Sequence, residues 1–352
     1  MAGTAGKVLL TGANGFVAAH ILAGLIERNY YIVGTVRSEK RSNEILTAHP
    51  SWKEYITFVY IPDMMAEGAY DEAFSVGPFD YIIHNASPLN FGATKFEEEI
   101  IDPAIKGTTG LLKAAHKKGG PTLKRFVLLG SAVAILNEED DMSKPGAPYT
   151  EADWNPVTVQ YALDHNSVVA AYNASKKLAE QSAWTYMTSH TPSFDLAVIN
   201  PDIIIGPLLH HVPDAKSVNQ TNTFVYNFLN GTFGDIEAIR FPFYHAVDVR
   251  DVARAHIEAM TRPAAANKRI ILVSGVLSPQ IIVNTIRKHF PKLADRVIEG
   301  HPEQLMPSGV DPTGWDTSRS KEVLGLEYIS IEQSIVDTVG SLLELEGEWG
   351  DK

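Results

Sequence analysis

A short strand, a glycine turn and an amphipathic helix follow one another without a spacer at the start of the chain. The run from Lys7 to Leu10 is typical of a buried parallel strand, and Gly12 and Gly15 follow it at once. From Phe16 to Ile26, apolar residues recur with the period of a helix. Strand, turn and helix make half of a βαβ unit, which indicates a fold built on parallel strands.

The small residues of this turn have the spacing that a pyrophosphate requires. Gly12 permits the tight turn, Gly15 lets a phosphate approach the backbone, and Ala18 stands in the place of the third glycine of the dinucleotide-binding pattern. The free N–H groups and the dipole of a helix start favour an anion. Two glycines also suit a purely structural turn. The strand from Tyr30 to Val36 favours the nucleotide, because it ends at Arg37, where an adenosine ribose would lie.

Strand patterns and helix patterns then alternate. Further buried strands are predicted at 55–61, 80–84, 125–129 and 195–200, with helices at 39–48, 67–76, 96–116 and 171–189. This alternation predicts an α/β fold, a doubly wound parallel sheet of the Rossmann type with helices on both faces. Ligands of such sheets gather at the strand C-termini, so we expect one edge to carry Gly12, Arg37, Asp63, Asn85 and Ser131.

The rest of the chain predicts a smaller lobe. We assign residues 1–200 to a dinucleotide-binding domain, to which 235–275 return, and residues 201–234 and 276–352 to a mainly C-terminal substrate-binding lobe. Helices are predicted at 248–260, 278–289 and 330–344, and a last strand at 269–273. The acidic, proline-containing segment 137–149 is interpreted as a solvated loop.

Composition excludes several kinds of function. The chain has 352 residues, a net charge of −12 and no Lys/Arg run longer than two, so a nucleic-acid partner is not expected. Cysteine is absent, which excludes disulfides and thiolate chemistry, and the histidines lack metal-site spacing, so no metal is predicted. No apolar run reaches the ~18 residues of a membrane helix, and none precedes the first strand; we therefore expect no membrane contact and a cytoplasmic location.

Tyr172 and Lys176 form the only Tyr-x-x-x-Lys pair in the chain. Residues four apart share one face of a helix, so the phenol and the ammonium point the same way. A nearby cation favours phenolate, and we expect it to lower the pKa of Tyr172, which would suit the phenol to acid or base catalysis. Such pairs also occur in purely structural helices. Catalysis is favoured here because the helix that carries the pair comes after the predicted strand 125–129 and the loop that follows it. Ser131 lies at the end of that strand, and its hydroxyl could bind the same substrate oxygen.

Several segments together resemble the extended short-chain dehydrogenase/reductases. They are TGANGFVA at 11–18, Ser131, the run from Tyr172 to Lys176, NPDIIIGP at 200–207 and HAVDVRDVA at 245–253. Within that family the chain is most similar to fungal NADPH-dependent methylglyoxal and aldehyde reductases and to dihydroflavonol-reductase-like proteins. The resemblance implies reduction of a small aldehyde or ketone to an alcohol, with hydride from nicotinamide C4 of NADPH and a proton from Tyr172.

The same resemblance implies the roles of individual residues. Ser131 orients and polarises the carbonyl, Tyr172 donates the proton, and Lys176 binds the nicotinamide ribose and assists Tyr172. Asp63 and Met64 would flank the adenine. The expected cofactor-binding residues are Thr11, Gly12, Asn14, Gly15, Phe16, Val17, Arg37, Lys40, Asp63, Met64, Ala86, Ser87, Tyr172, Lys176 and Pro201, the last beside the nicotinamide.

Other positions are less determined. Phe91, Val133 and Ile203 are expected to line an apolar substrate pocket, although each would equally suit a core. Gly130 stands where relatives usually carry Ser or Thr, which we interpret as altered packing. At the position of Asn85, close relatives often carry a residue that is not an amide. The role of Asn85 therefore stays open between a cofactor contact, a substrate contact and a simple turn.

Two other functions share this scaffold: a nucleotide-sugar epimerase or dehydratase that retains NAD, and a non-catalytic dinucleotide-sensing regulator. Arg37 argues against the first, because it offers donors for a 2′-phosphate where NAD-binding relatives place an acid; Lys40 and Arg41 add positive charge. The retained Tyr172 and Lys176 argue against the second. The particular carbonyl compound and the product stereochemistry stay open, as does a homodimer.

Overall fold

The computed structural model describes residues 4–87, 90, 92–137, 139–141, 143–239 and 244–350. In that part of the chain the strands are β1 (Gly6–Thr11), β2 (Tyr30–Val36), β3 (Ile56–Tyr60), β4 (Tyr81–His84), β5 (Arg125–Leu129), β6 (Asp195–Pro201), β7 (Ile203–Ile205), β8 (His245–Asp248), β9 (Lys268–Leu272) and β10 (Gly275–Val276). The α-helices are α1 (Phe16–Glu27), α2 (Glu39–Ala48), α3 (Asp71–Ser75), α4 (Asp102–Lys118), α5 (Val159–Asp164), α6 (Val168–His190), α7 (Gln220–Leu229), α8 (Val249–Thr261), α9 (Pro279–His289), α10 (Ser318–Leu324) and α11 (Ile331–Gly350).

Seven parallel strands form the larger sheet, in the order β3-β2-β1-β4-β5-β6-β9. Helices α1 and α8 pack together on one face, and α4 and α6 pack together on the other. The sequence of β1 is apolar without alternation because both faces of the sheet are covered. Val8 and Leu10 pack on the face that carries α1, and Leu9 packs on the opposite face. The predicted doubly wound α/β fold is confirmed.

A three-stranded sheet in the order β10-β8-β7 forms a second layer. One face of this sheet packs with α7, α9 and α11 in a separate apolar cluster that includes Ile203, Val225, Ile282 and Ile335. A single residue, Asp202, joins β6 of the large sheet to β7 of the small one. The small sheet therefore begins at the edge where the strands of the large sheet end.

The structure differs from the sequence prediction at several boundaries. Between the predicted loop 137–149 and α6 the structure contains α5, for which the sequence predicted no element; Thr158 caps it by accepting a hydrogen bond from the Tyr161 N–H at 3.0 Å. The helix expected from residue 248 begins at Val249, because Asp248 ends β8 and caps the helix instead. The helix expected at 96–116 begins as a π-helical turn and continues as α4, whose first turn holds Pro103, where proline is tolerated.

Candidate active site

The glycine turn between β1 and α1 lies directly against the end of β4. Gly12 has a φ of 65°, and a Cβ there would stand 3.0 Å from Ala86 Cα, so both conformation and space require glycine. Gly15, the N-cap of α1, makes no side-chain capping bond. The first N–H groups of α1 thus lack a side-chain cap, which is the arrangement that binds a phosphate.

Thr11 links the ends of β1 and β4. Its Oγ1 accepts hydrogen bonds from the backbone N–H groups of Asn85 at 3.1 Å and Ala86 at 3.0 Å, and it lies 2.8 Å from Nδ1 of His84. Because both lone pairs of the hydroxyl are used, its proton goes to Nδ1, and the ring proton of neutral His84 resides on Nε2. Burial and the nearby Lys176 lower the pKa of His84 to about 3, which keeps the ring neutral.

A cavity of about 530 Å³ opens along the edge formed by β1, β2 and β4. It is lined by the predicted residues Gly12, Asn14, Gly15, Arg37, Asp63, Met64, Ala86 and Ser87, together with Asn85 and Arg41. Lys40 is not among the residues that line it, whereas Arg41 is. The side chains of Phe16 and Val17, at the start of α1, point into the protein: the Phe16 ring contacts His210 at 5.6 Å between ring centres, and Val17 packs in the core.

Ser131, Tyr172 and Lys176 come together beyond β5. The side chains of Tyr172 and Ser131 are hydrogen-bonded, and Lys176 Nζ lies 5.8 Å from the centre of the Tyr172 ring. Lys176 donates to Oγ of Ser87 at 3.0 Å, which joins the three residues to the cavity. The spacing of four residues on α6 has the consequence expected from the sequence: phenol and ammonium share one face.

The expectation that Lys176 lowers the pKa of Tyr172 is wrong. Burial raises the pKa of Tyr172 to about 12, against a smaller lowering by the hydrogen bond with Ser131. Burial also lowers the pKa of Lys176 to about 8. Removal of a charge from water outweighs the hydrogen bond with Ser131, so the phenol keeps its proton at neutral pH.

Asn200 holds the backbone of Ser131 by a hydrogen bond. Asn200 Nδ2 donates to the carbonyl oxygen of Ser131 at 3.1 Å and to Oε2 of Glu180 at 2.9 Å. Glu180 in turn pairs with Arg269 at 2.6 Å, and both side chains are buried. A Cβ on residue 130 would stand 2.6 Å from Asn200 Nδ2, which explains why Gly130 replaces a larger residue.

His84, Glu180 and Asn200 were not predicted as site residues. Glu180 had a signal in the sequence, since it lies four residues after Lys176 and eight after Tyr172, on the same face of one helix. His84 ends a strand at the edge where ligands bind, which is also readable from the sequence. The contact of Asn200 with Ser131 depends on the pairing of β5 with β6 and had no local signal.

The three residues predicted for the substrate pocket have different surroundings. Val133 is buried in the short turn after Ser131, and its N–H donates to Oγ of Ser131 at 3.4 Å. Ile203 packs in the apolar cluster of the small lobe. Phe91 lies outside the described residues. Pro201 ends β6, next to Asp202.

The family model described as the NAD dependent epimerase/dehydratase family matches residues 8–274. The chain belongs to this family. Within it, the chain is 37% identical over 349 residues to ketoreductase azaE of Aspergillus niger, a match that covers 98% of this chain and 99% of that protein. It is 31% identical to aldehyde reductase 2 of Sporidiobolus salmonicolor, over 95% of each.

A solved structure of a yeast reductase has the same fold. The yeast methylglyoxal/isovaleraldehyde reductase Gre2, solved as a complex with NADPH, matches with a TM-score of 0.88 and 27% identity, over 97% of this chain and 99% of that one. The resemblance to extended short-chain dehydrogenase/reductases and to fungal aldehyde reductases is thereby confirmed.

In the described ranges, no group of three or more His, Cys, Asp or Glu side chains is arranged to hold a metal ion. None of the helices described there is both long and apolar enough to cross a membrane.

Proposed function

We propose that the protein is an NADPH-dependent reductase that converts small aldehydes and ketones to alcohols. The observation that carries this proposal is the hydrogen-bonded pair of Tyr172 and Ser131, with Lys176 beside it and bonded to the cavity wall through Ser87. Its relatives by sequence include a ketoreductase and an aldehyde reductase, and a structural neighbour was solved with NADPH.

The residues of the cavity fit a dinucleotide. Gly12 and Gly15 leave the backbone open at the start of α1, where a pyrophosphate would find free N–H groups. Met64 and Asp63 line the same cavity and suit an adenine, while Arg37 and Arg41 present cations that suit a 2′-phosphate. Lys176 and Ser87 lie at the other end of this edge and would hold the nicotinamide ribose.

Bound NADPH would supply a hydride to the carbonyl carbon. Ser131 would donate a hydrogen bond to the carbonyl oxygen and so hold it next to the phenol. Tyr172 would transfer its proton to that oxygen as negative charge develops there, and the high pKa of the phenol ensures that the proton is present at neutral pH. Lys176, as a cation, would stabilise the phenolate that remains. One hydride and one proton complete the alcohol.

The finer assignments belong to this proposal. We propose Ser131, Tyr172 and Lys176 as catalytic residues and the predicted domain boundaries as the division between cofactor and substrate binding. A cytoplasmic location and the absence of a nucleic-acid partner stay predictions from the sequence. Whether the protein forms a homodimer stays open. An epimerase that retains NAD shares the family, but Arg37 at the end of β2 favours a cofactor with a 2′-phosphate.

The proposal is tested by incubating the purified protein with NADPH, with and without a panel of small aldehydes and ketones. We expect NADPH to be oxidised only when a carbonyl compound is present, with one alcohol formed for each NADPH consumed. Chiral analysis of the alcohol then identifies the stereochemistry. Oxidation of NADPH without a carbonyl compound, or no oxidation across the panel, would overturn the proposal.

A further inference from the structure

The strap, residues 207–212, leads from β7 of the small sheet towards α7. Its side chains alternate between the two large apolar clusters of the protein. Leu208 packs with the cluster of the small lobe, whereas Leu209 packs with the cluster that contains β1 and α1 of the nucleotide-binding domain. The strap therefore lies at the boundary between the two lobes and contributes to the core of each.

Two histidines of the nucleotide-binding domain hold the backbone of the strap. Nε2 of His20 lies 2.9 Å from the carbonyl oxygen of Pro207, and Nε2 of His49 lies 2.9 Å from the carbonyl oxygen of Leu209. Because a carbonyl oxygen only accepts, Nε2 carries a proton in both rings. His20 belongs to α1, and His49 directly follows α2. Alternate carbonyl groups of the strap are thus bonded to the nucleotide-binding domain.

The small lobe holds the strap from the other side, through α11. The N–H of Leu208 donates to Oγ of Ser341 at 3.1 Å, and the indole N–H of Trp349 donates to the carbonyl oxygen of Val212 at 3.0 Å. Consecutive residues of the strap are therefore bonded to opposite lobes. A displacement of one lobe relative to the other would stretch these hydrogen bonds, which weaken steeply away from their preferred geometry.

The strap also contacts the first turn of the helix that follows the glycine turn. Phe16, which comes directly after Gly15, is the first residue of α1. Its ring centre lies 5.6 Å from that of His210 in the strap and 6.0 Å from that of His20. The strap is thereby placed relative to the edge of the large sheet where a pyrophosphate would lie.

We propose that His20 and His49 are positioning residues of the reductase: they hold the strap and so align the small lobe with the edge of the large sheet that carries Ser131. The cofactor cavity is independent of this alignment, because every described residue that lines it lies within 12–103, in the nucleotide-binding domain. NADPH therefore binds to one lobe, whereas the carbonyl substrate needs both. The effect on the carbonyl substrate rests on the proposed reductase function and on the proposed substrate role of the small lobe.

The alignment itself is tested by a distance measurement between the lobes. The chain has no cysteine, so Lys113→Cys on α4 and Glu344→Cys on α11, both at exposed positions, take one spin label on each lobe. By pulsed electron spin resonance we expect a narrow distance distribution in the otherwise unchanged chain and a broader one after His20→Leu and His49→Leu together. His20→Gln with His49→Gln should restore the narrow distribution, because the glutamine amide nitrogen also donates. An unchanged distribution in the leucine double variant would overturn the inference.

Steady-state kinetics test the consequence for the reaction. When misaligned states are populated, the apparent affinity for a ligand that needs the aligned state falls in proportion. In the leucine double variant of His20 and His49 we expect KM for the carbonyl substrate to rise at least about fivefold, the lower end for loss of two hydrogen bonds. The values of kcat and of KM for NADPH should change by less than about twofold. The glutamine double variant should return KM for the carbonyl substrate towards that of the parent.

His190→Leu is the matched control, because the ring of His190 also bonds a backbone carbonyl, at 3.1 Å, but within its own helix. It should keep both KM values. If the leucine double variant does not fold, the two single leucine variants take its place in both measurements. An equal rise of KM for NADPH and for the carbonyl substrate would overturn the positioning role. Absence of carbonyl reduction by the parent would overturn the proposed function, and the distance measurement would still decide whether the two histidines align the lobes.

Discussion

Asn200 fastens Ser131 to the interior of the protein: the amide of Asn200 donates to the backbone carbonyl of Ser131 at 3.1 Å, and the same nitrogen donates to Glu180 at 2.9 Å. Glu180 is buried against Arg269, which also donates to the carbonyl oxygens of Glu151 and Asp153. The hydroxyl that is proposed to hold the substrate oxygen is thus supported by a polar network on β6, α6 and β9. Such networks orient a site through the rigidity of the elements that carry them.

Asn200→Ala should weaken this support. It removes one of the two donors to Glu180 Oε2 and one of the two donors to the Ser131 carbonyl, while the bonds from Arg269 and from the Ala134 N–H remain. The loss of two buried hydrogen bonds, one of them to a charged group, should lower the free energy of unfolding by about 1–3 kcal/mol. We also expect kcat/KM to fall by about tenfold, because Ser131 is less well placed. Urea unfolding and steady-state kinetics measure the two effects, with Asn230→Ala at an exposed site of the small lobe as control. Full activity and full stability in Asn200→Ala would show that the network does not support the site.

Tyr172→Phe should remove the proton donor and little else. The ring and its burial are kept, so we expect NADPH binding to persist while turnover falls by at least about a hundredfold, the lower range for a general acid. Fluorescence titration with NADPH and initial rates on the best aldehyde provide the measurement. Tyr186→Phe, on the same helix but bonded to His116 at 3.0 Å, is the control. A rate near that of the parent in Tyr172→Phe would rule out this tyrosine as the acid.

Lys176→Met tests the electrostatic part of the site through pH. Burial lowers the pKa of Lys176 to about 8, so the ammonium is present below that pH and is lost as the pH rises through it. We therefore expect kcat/KM of the parent to fall above about pH 8, whereas the much weaker Lys176→Met variant should lack this limb. Its KM for NADPH should also rise. Retention of the same basic limb in the variant would contradict the assignment.

The sequence predicted most of the nucleotide-binding domain because its signals are local. A buried parallel strand such as β1 is apolar throughout, and the helical spacing of Tyr172 and Lys176 fixes their common face wherever the helix packs. Short elements such as β7 have no pattern of their own, since three residues from Ile203 to Ile205 form a strand only beside β8.

The electrostatics of the site could not be predicted in the same way. The pKa of Tyr172 depends on burial, which is a property of the assembled fold, and so the expected direction was wrong. The link from Asn200 to Ser131 joins residues 69 positions apart and follows from strand pairing alone. Residues that act through tertiary contacts therefore need the structure.

Cofactor choice tests the role of Arg37. Its guanidinium lines the cavity at the end of β2 and can donate to a 2′-phosphate, a charge-assisted contact of about 1.5–3 kcal/mol, or roughly a ten- to a hundredfold preference for NADPH. Arg37→Asp should reverse this preference, because a carboxylate repels the phosphate and accepts from the ribose hydroxyl of NADH. The measurement is the ratio of kcat/KM for the two cofactors. Lys53→Asp makes the same change of charge at an exposed position and should leave the ratio alone; an unchanged ratio in Arg37→Asp would exclude the 2′-phosphate contact.

Transfer of a labelled hydride tests the central claim most directly. The protein is given an aldehyde and two preparations of NADPH, each with deuterium on one face of nicotinamide C4, and the alcohol is analysed by mass spectrometry. We predict that one of the two preparations delivers a single deuterium to the carbinol carbon of every alcohol formed. Alcohol without deuterium from both preparations, or NADPH that is left unoxidised as in an epimerase cycle, would contradict the account.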